Sequence, residues 1–171
     1  MMNAVEQLPE LELADAQIFR EAMSRLGAAV HIVTTDGKAG KAGFTATAVA
    51  SVSDAPSTLL VCLNRKSQIT PLMRENGSFC VNTLAANEES IADVFAGRTG
   101  LYMADRFNVG DWATIKTGSP ALTSAIAAFD CRVLEAKEVG SHFVYFGGVV
   151  AVRLGPPSKA LVYHDRAYKH V

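Results

Sequence analysis

The hydrophobic positions of this chain follow two different periods, which together predict a mostly β protein with a few helices. Apolar residues recur every three to four positions between residues 16 and 26, which predicts a helix capped by Asp15. Its apolar stripe, which we expect to be buried, consists of Ile18, Phe19, Ala22, Met23 and Leu26. Short helical patterns over 67–74 and 88–96 begin at the possible caps Ser67 and Asn87. Apolar and β-branched runs predict strands over 28–35, 44–53, 58–64, 78–84, 127–139, 143–154 and 159–164.

About seven strands that mostly follow one another favour an antiparallel barrel with helical insertions over alternating βαβ units. The predicted fold class is therefore mainly β, a β-barrel with α insertions. Residues 98–120 show little periodicity and are predicted to form a long loop. No repeat or linker composition divides the chain, so we expect a flexible lead-in over 1–13 and a single domain over 14–171.

Composition and charge argue against several classes of function. The chain has 171 residues and a formal net charge of −1, which argues against a dedicated binder of nucleic acid or anionic membranes. No run reaches the roughly 18 apolar residues of a membrane span, and residues 1–17 lack the apolar core of a signal peptide. Three scattered cysteines and four histidines fit neither a disulfide framework nor a metal site, so we expect no metal and a cytoplasmic location.

Several common catalytic motifs are missing from the sequence. It has no GxGxxG after a strand, no GxxxxGK[ST] and no GxSxG. A Rossmann dinucleotide site, a P-loop and an α/β-hydrolase elbow are therefore unsupported. Cys62 and Cys80 lie in strand patterns and are interpreted as core residues, not nucleophiles.

The segment Thr45–Ala48 alternates threonine and alanine, which leaves the backbone accessible on one face. A flat heterocycle could lie against such a face and accept hydrogen bonds from peptide N–H groups. An edge strand with solvated threonines is the plainer interpretation, and the residues alone leave both open.

The segment Asn64–Ser67 joins a buried strand to a helix start. It places free N–H groups, a hydroxyl and two cations together, which is a reasonable phosphate cradle. A charged surface loop with an ordinary helix cap explains the same residues equally well.

Three residues near the C-terminal strands could contact a ligand. His142 follows a Gly-Ser turn, where a neutral imidazole could donate to a carboxamide or pack on a ring, although a surface hairpin histidine is the alternative. Arg166 and Tyr168 could close over a ligand or belong to a polar tail. His31, inside an apolar strand, is expected to be packed or to face a dimer partner.

Taken in order along the chain, these segments resemble the short-chain flavin reductases, the reductase components of two-component flavin-dependent monooxygenases. The resemblance covers about 17–170 and is nearest to the partners of 4-hydroxyphenylacetate 3-monooxygenase and of the pyrimidine-utilisation monooxygenase. The ordered series is specific, whereas no single segment is. Its segments are 19–23, 27–30, 32–35, 43–48, 51–53, Pro56, 60–64, 80–82, 95–97, 106–107, 140–142 and 165–168.

The resemblance implies an FMN-binding split β-barrel that works as a homodimer with flavin near the subunit interface. It places the flavin ring against Thr45, Ala46, Thr47, Ala48, Val49, Ser51 and Val52. It assigns the flavin phosphate to Lys66, Ser67, Gln68 and Ile69, beside the Asn64 turn, and brings Phe95 and Gly97 close to the flavin. The resemblance implies that the nicotinamide is bound by His142, Arg166 and Tyr168, and that His142 is the catalytic residue.

The implied reaction is reduction of FMN or FAD by NADH or NADPH, with hydride transfer to flavin N5 and delivery of reduced flavin to a partner monooxygenase. The choice between the two flavins and between the two nicotinamides stays open. A pyridoxamine-phosphate-oxidase-like enzyme, or a flavin- or haem-binding protein without turnover, is the alternative. Relatives often carry His directly after the aromatic residue that matches Tyr168, whereas this chain has Lys169 and then His170.

Overall fold

The computed structural model describes residues 12–171, so nearly all of the predicted lead-in lies outside the described residues. Three α-helices are described: α1 (Ala16–Ser24), α2 (Ile69–Asn76) and α3 (Glu89–Phe95), together with a 3-10 helix over Met103–Asn108. The strands are β1 (Ala28–Ala29), β2 (His31–Thr35), β3 (Ala42–Ala46), β4 (Val49–Asp54), β5 (Ser57–Asn64), β6 (Ser78–Thr83), β7 (Trp112–Thr114), β8 (Pro120–Leu122), β9 (Ala127–Val139), β10 (His142–Leu154), β11 (Leu161–His164) and β12 (Ala167–His170).

Seven antiparallel strands form the main sheet, in the order β3-β2-β6-β9-β10-β5-β4. Its two edge strands, β3 and β4, are consecutive in the chain and only Thr47 and Ala48 lie between them. The prediction of one strand over 44–53 is therefore wrong. The residues at the crossing are threonine, alanine and valine, with no Gly or Pro to mark a break.

Because two residues connect its opposite edges, the sheet must curl, and side chains from both of its faces are buried. Along β2 the neighbours Val33 and Ile32 enter different apolar clusters. The inner cluster centres on Val33, Phe79 and Tyr145, and the outer one includes Ile32 and Phe95. The outer cluster is closed by α3 and by a second sheet of order β1-β11-β12.

The helix predicted at the start of the described chain is present, but its stripe is not buried. Asp15 caps α1 as predicted, because its carboxylate accepts from the N–H groups of Gln17 at 2.9 Å and Ile18 at 3.0 Å. Ile18 and Phe19 are nevertheless 68% and 58% exposed. An amphipathic pattern predicts that a stripe will be covered without specifying by what, and nothing in the described part of this chain covers this one.

The remaining helices start one or two residues later than predicted. At α2 the Ser67 hydroxyl still accepts from the Ile69 N–H at 3.3 Å, and Gly77 ends the helix with φ +66°. At α3 the cap is Glu88 instead of Asn87, and its carboxylate accepts from the Ala85 N–H at 2.7 Å. Neither N-cap residue, Gln68 or Glu88, makes a side-chain capping hydrogen bond, so a polar residue in the sequence locates these helix starts only to within a residue or two.

Periodicity did not predict four elements: the 3-10 helix, β7, β8 and β12. The predicted loop 98–120 contains the 3-10 helix and the strand β7, which pairs with β8. The predicted last strand continues into a hairpin, because Asp165 and Arg166 turn the chain with φ of +49° and +58° and β12 pairs with β11. The β11–β12 turn contains no glycine to mark it in the sequence, whereas Gly118, with φ +93°, lies in the connection between β7 and β8.

Residues 12–171 include no helix long and apolar enough to cross a membrane. Over the same range, no cluster of three His, Cys, Asp or Glu side chains is placed to hold a metal ion.

Candidate functional site

Two adjoining hollows open beside the β3 edge of the main sheet and share Thr45 and Ala96. The smaller has a volume of about 200 Å³ and lies between the Thr45–Thr47 segment and Tyr168. The larger has a volume of about 310 Å³ and extends from Thr45 to the start of α2. Its walls include Phe44, Ser67, Gln68, Ile69, Phe95, Tyr102 and Arg106. The structure therefore brings together most of the predicted contacts from Thr45 to Thr47 and from Ser67 to Ile69.

Helix α3 packs against the β3 edge. The Thr45 hydroxyl donates to the Ala92 carbonyl at 2.6 Å, which fixes its side-chain rotamer. Gly43 lies against the Phe95 ring so closely that a Cβ atom there would be 2.8 Å from Phe95 Cε1. Phe95 is buried and packs edge-on against Phe107, with ring centroids 5.1 Å apart. A side chain at position 43 would therefore have to displace a ring that its neighbours hold in place.

Arg106 is a site residue that sequence reasoning gave no role. Its guanidinium lines the larger hollow and donates to the carbonyls of Gly43 at 3.0 Å, Phe95 at 3.2 Å and Leu101 at 3.2 Å. Among the described residues no carboxylate pairs with it, so its positive charge is available to an anion in the hollow. The only sequence signal was an Arg-Phe pair inside a segment predicted to be loop.

The turn between β5 and α2 is shaped by Asn64. Its side-chain oxygen accepts from the Lys66 N–H at 2.9 Å, and its carbonyl accepts from the Thr70 hydroxyl at 2.9 Å. Asn64 thus orders the turn, while Ser67, Gln68 and Ile69 line the hollow. Lys66 is exposed beside it and lines none of the three cavities described in this structure.

The second half of the predicted flavin segment lies at the opposite edge of the sheet. Val49 and Ser51 line a wider groove of about 570 Å³ that runs along β4, β5 and β10. Ala48 and Val52 line none of the three cavities, and Val52 is 47% exposed. The crossing at Thr47–Ala48 therefore divides residues that a single strand would have kept together.

His31 faces this wide groove from the inner end of β2. It is 8% exposed, and its Nδ1 lies 3.1 Å from the Thr83 hydroxyl oxygen. Burial lowers the pKa of His31 to about 4, so the imidazole is neutral at pH 7.

Tyr168 closes the smaller hollow from β12. Its hydroxyl donates to the Asp93 carboxylate at 3.0 Å, and Arg98 donates to the same carboxylate oxygen at 2.7 Å. Burial, followed by the hydrogen bond to Asp93, raises the pKa of Tyr168 to about 12. The phenol is therefore a hydrogen-bond donor and not an anion at neutral pH.

The other residues assigned to the nicotinamide side lie farther apart. His142 is exposed at the start of β10, pairs with Asn64 across the sheet, and has its Nδ1 2.8 Å from the Ser141 hydroxyl. No hydrogen bond, ion pair or ring contact joins His142 to Tyr168 within residues 12–171. Arg166 forms an ion pair of 2.7 Å with Glu21 of α1 instead of lining a hollow. Gly97 ends α3 with φ +77°, beside Arg106.

The alternation of β12 explains the unusual C-terminal residues. Tyr168 and His170 share one face of the strand, whereas Lys169 faces the other way. His170 Nε2 lies 2.6 Å from Glu89 Oε1 on α3. His170 therefore occupies a different face from a histidine placed directly after Tyr168.

The hollows offer binding groups and few reactive ones. Burial raises the pKa of the Cys80 and Cys131 thiols, which makes them poor nucleophiles. A strand edge, a guanidinium and hydroxyls around two connected hollows suit a planar ligand with an anionic tail. Flavin mononucleotide has this chemistry, so the residues present fit the group that the sequence resemblance implies.

Comparison with known proteins relates this chain to flavin reductases. The family described as "Flavin reductase like domain" matches residues 23–171. FMN reductase (NADH) RutF from Methylorubrum populi is 53% identical over 156 residues, which cover 91% of this chain and 76% of that protein.

Solved structures share the fold. One from Haemophilus somnus superposes with a TM-score of 0.88 at 41% identity and covers 92% of this chain and 100% of that one. BorF, the flavin reductase component of a bacterial two-component tryptophan halogenase, gives a TM-score of 0.85 at 29% identity and covers 92% and 98%. The mainly β, split-barrel fold and the flavin reductase resemblance are therefore confirmed.

Proposed function

Because this chain belongs to the flavin reductase like domain family, we propose that it is an oxidoreductase that reduces FMN or FAD with a reduced nicotinamide nucleotide. The observation that carries the proposal is the pair of connected hollows at the β3 edge, one ending at Ser67–Ile69 and the other at Tyr168. Bound flavin would accept a hydride from the reduced nicotinamide, and this redox chemistry would belong to the two cofactors. The protein's part would be to bind the two rings against each other.

The β3 edge and the larger hollow bind the flavin in this proposal. Thr45–Thr47 presents backbone groups to the ring, and Ser67, Gln68 and Ile69 receive the phosphate. Arg106 contributes a positive charge to the same hollow and is held in place by three carbonyl acceptors. Lys66 adds a second, exposed cation at the mouth.

The nicotinamide binds from the side of Tyr168, with His142 as the catalytic residue at the other end. The cation in the smaller hollow, Arg98, is already neutralised by Asp93 at 2.7 Å. A 2′-phosphate would have to compete with that carboxylate, which favours NADH over NADPH. The relative from Methylorubrum populi is named as an NADH-dependent FMN reductase, in agreement with this preference.

The proposed working form is a homodimer. Large apolar side chains are exposed on α1 and on the long strands β9 and β10. They are Ile18, Phe19, Met23, Leu134, Val139, Val152 and Leu154. A single chain rarely exposes so many, and a second copy of the chain would cover them together with the wide groove.

Reduced flavin is proposed to leave for a separate oxygenase in the cytoplasm. BorF is described as one component of a two-component system, which supports a partner of this kind. The mouth of the larger hollow is bordered by exposed residues such as Tyr102 and Gln68, so a flavin can leave without unfolding of the core.

The proposal is tested by mixing the purified protein anaerobically with each of two flavins and each of two nicotinamides. We expect the absorbance of oxidised flavin to bleach, with NADH faster than NADPH. If no combination bleaches at any flavin concentration, the proposed function is wrong. A non-catalytic binding protein would retain flavin and consume no NADH.

His142→Ala tests the role given to the imidazole. We expect kcat/KM for NADH to fall roughly tenfold to a hundredfold, which is the range of a lost orienting contact, while the flavin Kd changes by less than twofold. His164→Ala is the matched control, because His164 is also an exposed strand histidine but lies on β11 of the second sheet, whereas His142 pairs with Asn64 on the main sheet. Equal effects of the two variants would remove His142 from the site.

A further inference from the structure

The last turn of α3 is connected to both halves of the candidate site. The carbonyl of Ala92 accepts from the Thr45 hydroxyl at 2.6 Å, on the flavin side. The carboxylate of the next residue, Asp93, accepts from the Tyr168 hydroxyl at 3.0 Å, on the nicotinamide side. Consecutive residues of one helix therefore fix the distance between the two walls of the smaller hollow.

The ring of Tyr168 is held by more than one contact. Arg98 Nη1 lies 2.7 Å from Asp93 Oδ1 and 3.4 Å from the Tyr168 hydroxyl oxygen, so the three groups form one cluster. The Arg98 guanidinium carbon is also 5.8 Å from the centroid of the Tyr168 ring. Tyr163 packs edge-on against this ring at 5.6 Å. These contacts restrict the ring to one orientation at the mouth of the hollow.

A second contact of the same kind lies one helical turn away and does not reach the hollow. Glu89 precedes Asp93 by four residues and is on the same face of α3. It contacts His170, two residues after Tyr168 and on the same face of β12, at 2.6 Å. Only Tyr168 of the two strand residues lines the hollow. The helix and strand thus offer two similar contacts, one at the site and one away from it.

We propose that Asp93 is a positioning residue: through its hydrogen bond to Tyr168 it orients the surface on which the nicotinamide ring is placed against the flavin segment. This inference rests on the proposed function. It assigns to Asp93 no contact with either cofactor and no proton transfer. Its consequence is that substitution of Asp93 alters nicotinamide binding and leaves flavin binding intact.

The test compares Asp93→Leu, which removes the acceptor at similar volume, with Asp93→Asn, which keeps a neutral acceptor for the phenol. We expect Asp93→Leu to lower kcat/KM for NADH about tenfold, with a flavin Kd within twofold of the original. Asp93→Asn should recover most of the loss. Glu89→Leu is the matched control and should leave both parameters within twofold.

A double-mutant cycle separates action through Tyr168 from a general effect on the helix. Tyr168→Phe removes the same hydrogen bond from the other side and should reproduce the loss of Asp93→Leu. In the Tyr168→Phe background, Asp93→Leu should then add little. Tyr168→Phe also keeps the proposal testable should Asp93→Leu fail to fold.

A binding measurement without turnover completes the test. Calorimetric titration of the flavin-free protein with NAD⁺ should show weaker binding for Asp93→Leu and unchanged binding for Glu89→Leu. Equal effects of the two leucine variants, multiplicative losses in the cycle, or a parallel loss of flavin affinity would each overturn the inference. If the unsubstituted protein reduces no flavin, both the proposed function and this inference are wrong. If Asp93→Leu reduces flavin at the normal rate, only this inference is wrong.

Discussion

The two edges of the main sheet have similar sequences and very different surroundings. At the β3 edge, α3 and the 3-10 helix pack against the strand, and Thr45 and Gly43 each make a hydrogen bond with a residue of these elements. At the β4 edge, residues 49–54 have side chains that are exposed or half-buried. No second strand of the described chain pairs with the free side of β4.

The difference teaches that the local pattern of small polar residues does not decide what an edge binds. Thr-Ala-Thr-Ala and Val-Ala-Ser-Val-Ser are both compatible with an exposed strand. Ala92, Arg106 and Tyr168 reach the β3 edge from later in the chain, which is why we propose this edge as the ligand site. The β4 edge lacks such neighbours, and it is the surface that we propose for a second copy of the protein.

The largest expected effect comes from placing a charge in the wide groove beside β4. Val152 lines the wide groove and is 50% exposed. A symmetric dimer contains this position twice, so Val152→Asp would bury two unpaired carboxylates. We expect the dimer to weaken roughly 1,000-fold, or about 4 kcal/mol.

Light scattering over a range of protein concentrations measures this change. Val171→Asp is the control, because Val171 is 66% exposed and does not line the groove. If Val152→Asp stays dimeric, the β4 side is not the interface and the contrast between the two edges fails.

The next effect is a pH dependence at the same groove. His31 has a pKa of about 4 in the folded protein, below the value of about 6.5 expected in the unfolded chain. The folded state therefore binds fewer protons, so the contribution of His31 is full above pH 6.5 and is lost as pH falls towards 4. The loss amounts to about 3 kcal/mol of unfolding free energy.

Denaturant unfolding of the original protein and of His31→Asn at equal concentration isolates this contribution. The difference between the two unfolding free energies should change by most of that amount between pH 7 and pH 4. Parallel pH profiles would mean that His31 is solvated, and that the groove is open to water at its base.

The sequence predicts the secondary-structure elements better than it predicts the contacts between them. Strand runs such as 127–139 are long and regular, so their existence and their bounds followed from periodicity alone. The ordered segments that match flavin reductases gave the family and the fold. The break at Thr47–Ala48 and the β12 hairpin could not be predicted, because a hydrogen bond from Val49 and two positive-φ residues without glycine leave no compositional trace.

Site contacts over long sequence distances were the least predictable. Arg106 meets Gly43 across 63 residues, and Tyr168 meets Asp93 across 75. Such pairs depend on the way the sheet curls, which no local pattern records. The stripe of α1 is the opposite case: its period correctly predicted the helix, whereas the expected burial was wrong, because no residue of the described chain covers it.

A smaller effect on stability and flavin affinity is expected at the β3 edge, when a side chain is added at Gly43. The added methyl group of Gly43→Ala would meet Phe95 at 2.8 Å, so the ring must shift at an overpacking cost of about 1–3 kcal/mol. Flavin affinity should fall roughly tenfold, since Phe44 and Phe95 both line the larger hollow. Gly27→Ala is the control, because its nearest neighbour would lie at an ordinary 3.6 Å.

Fluorescence titration with FMN measures the affinities of both variants. Unchanged binding by Gly43→Ala would show that the packing between β3 and α3 does not set the shape of the hollow. The β3 edge would then be no more specialised than the β4 edge.

The smallest effect tests a single hydrogen bond. Thr45→Val keeps the shape of the side chain and removes the hydroxyl that donates to the Ala92 carbonyl, so the unfolding free energy should fall by about 1 kcal/mol. Thr114→Val is the control, because Thr114 is an exposed strand threonine that lines none of the three cavities. Because the Thr45 bond also joins the flavin segment to the helix that carries Asp93, NADH reduction of flavin should slow in Thr45→Val and not in Thr114→Val. A loss of stability without a loss of rate would separate the two roles of α3, and would leave Tyr168 as its only connection to the chemistry.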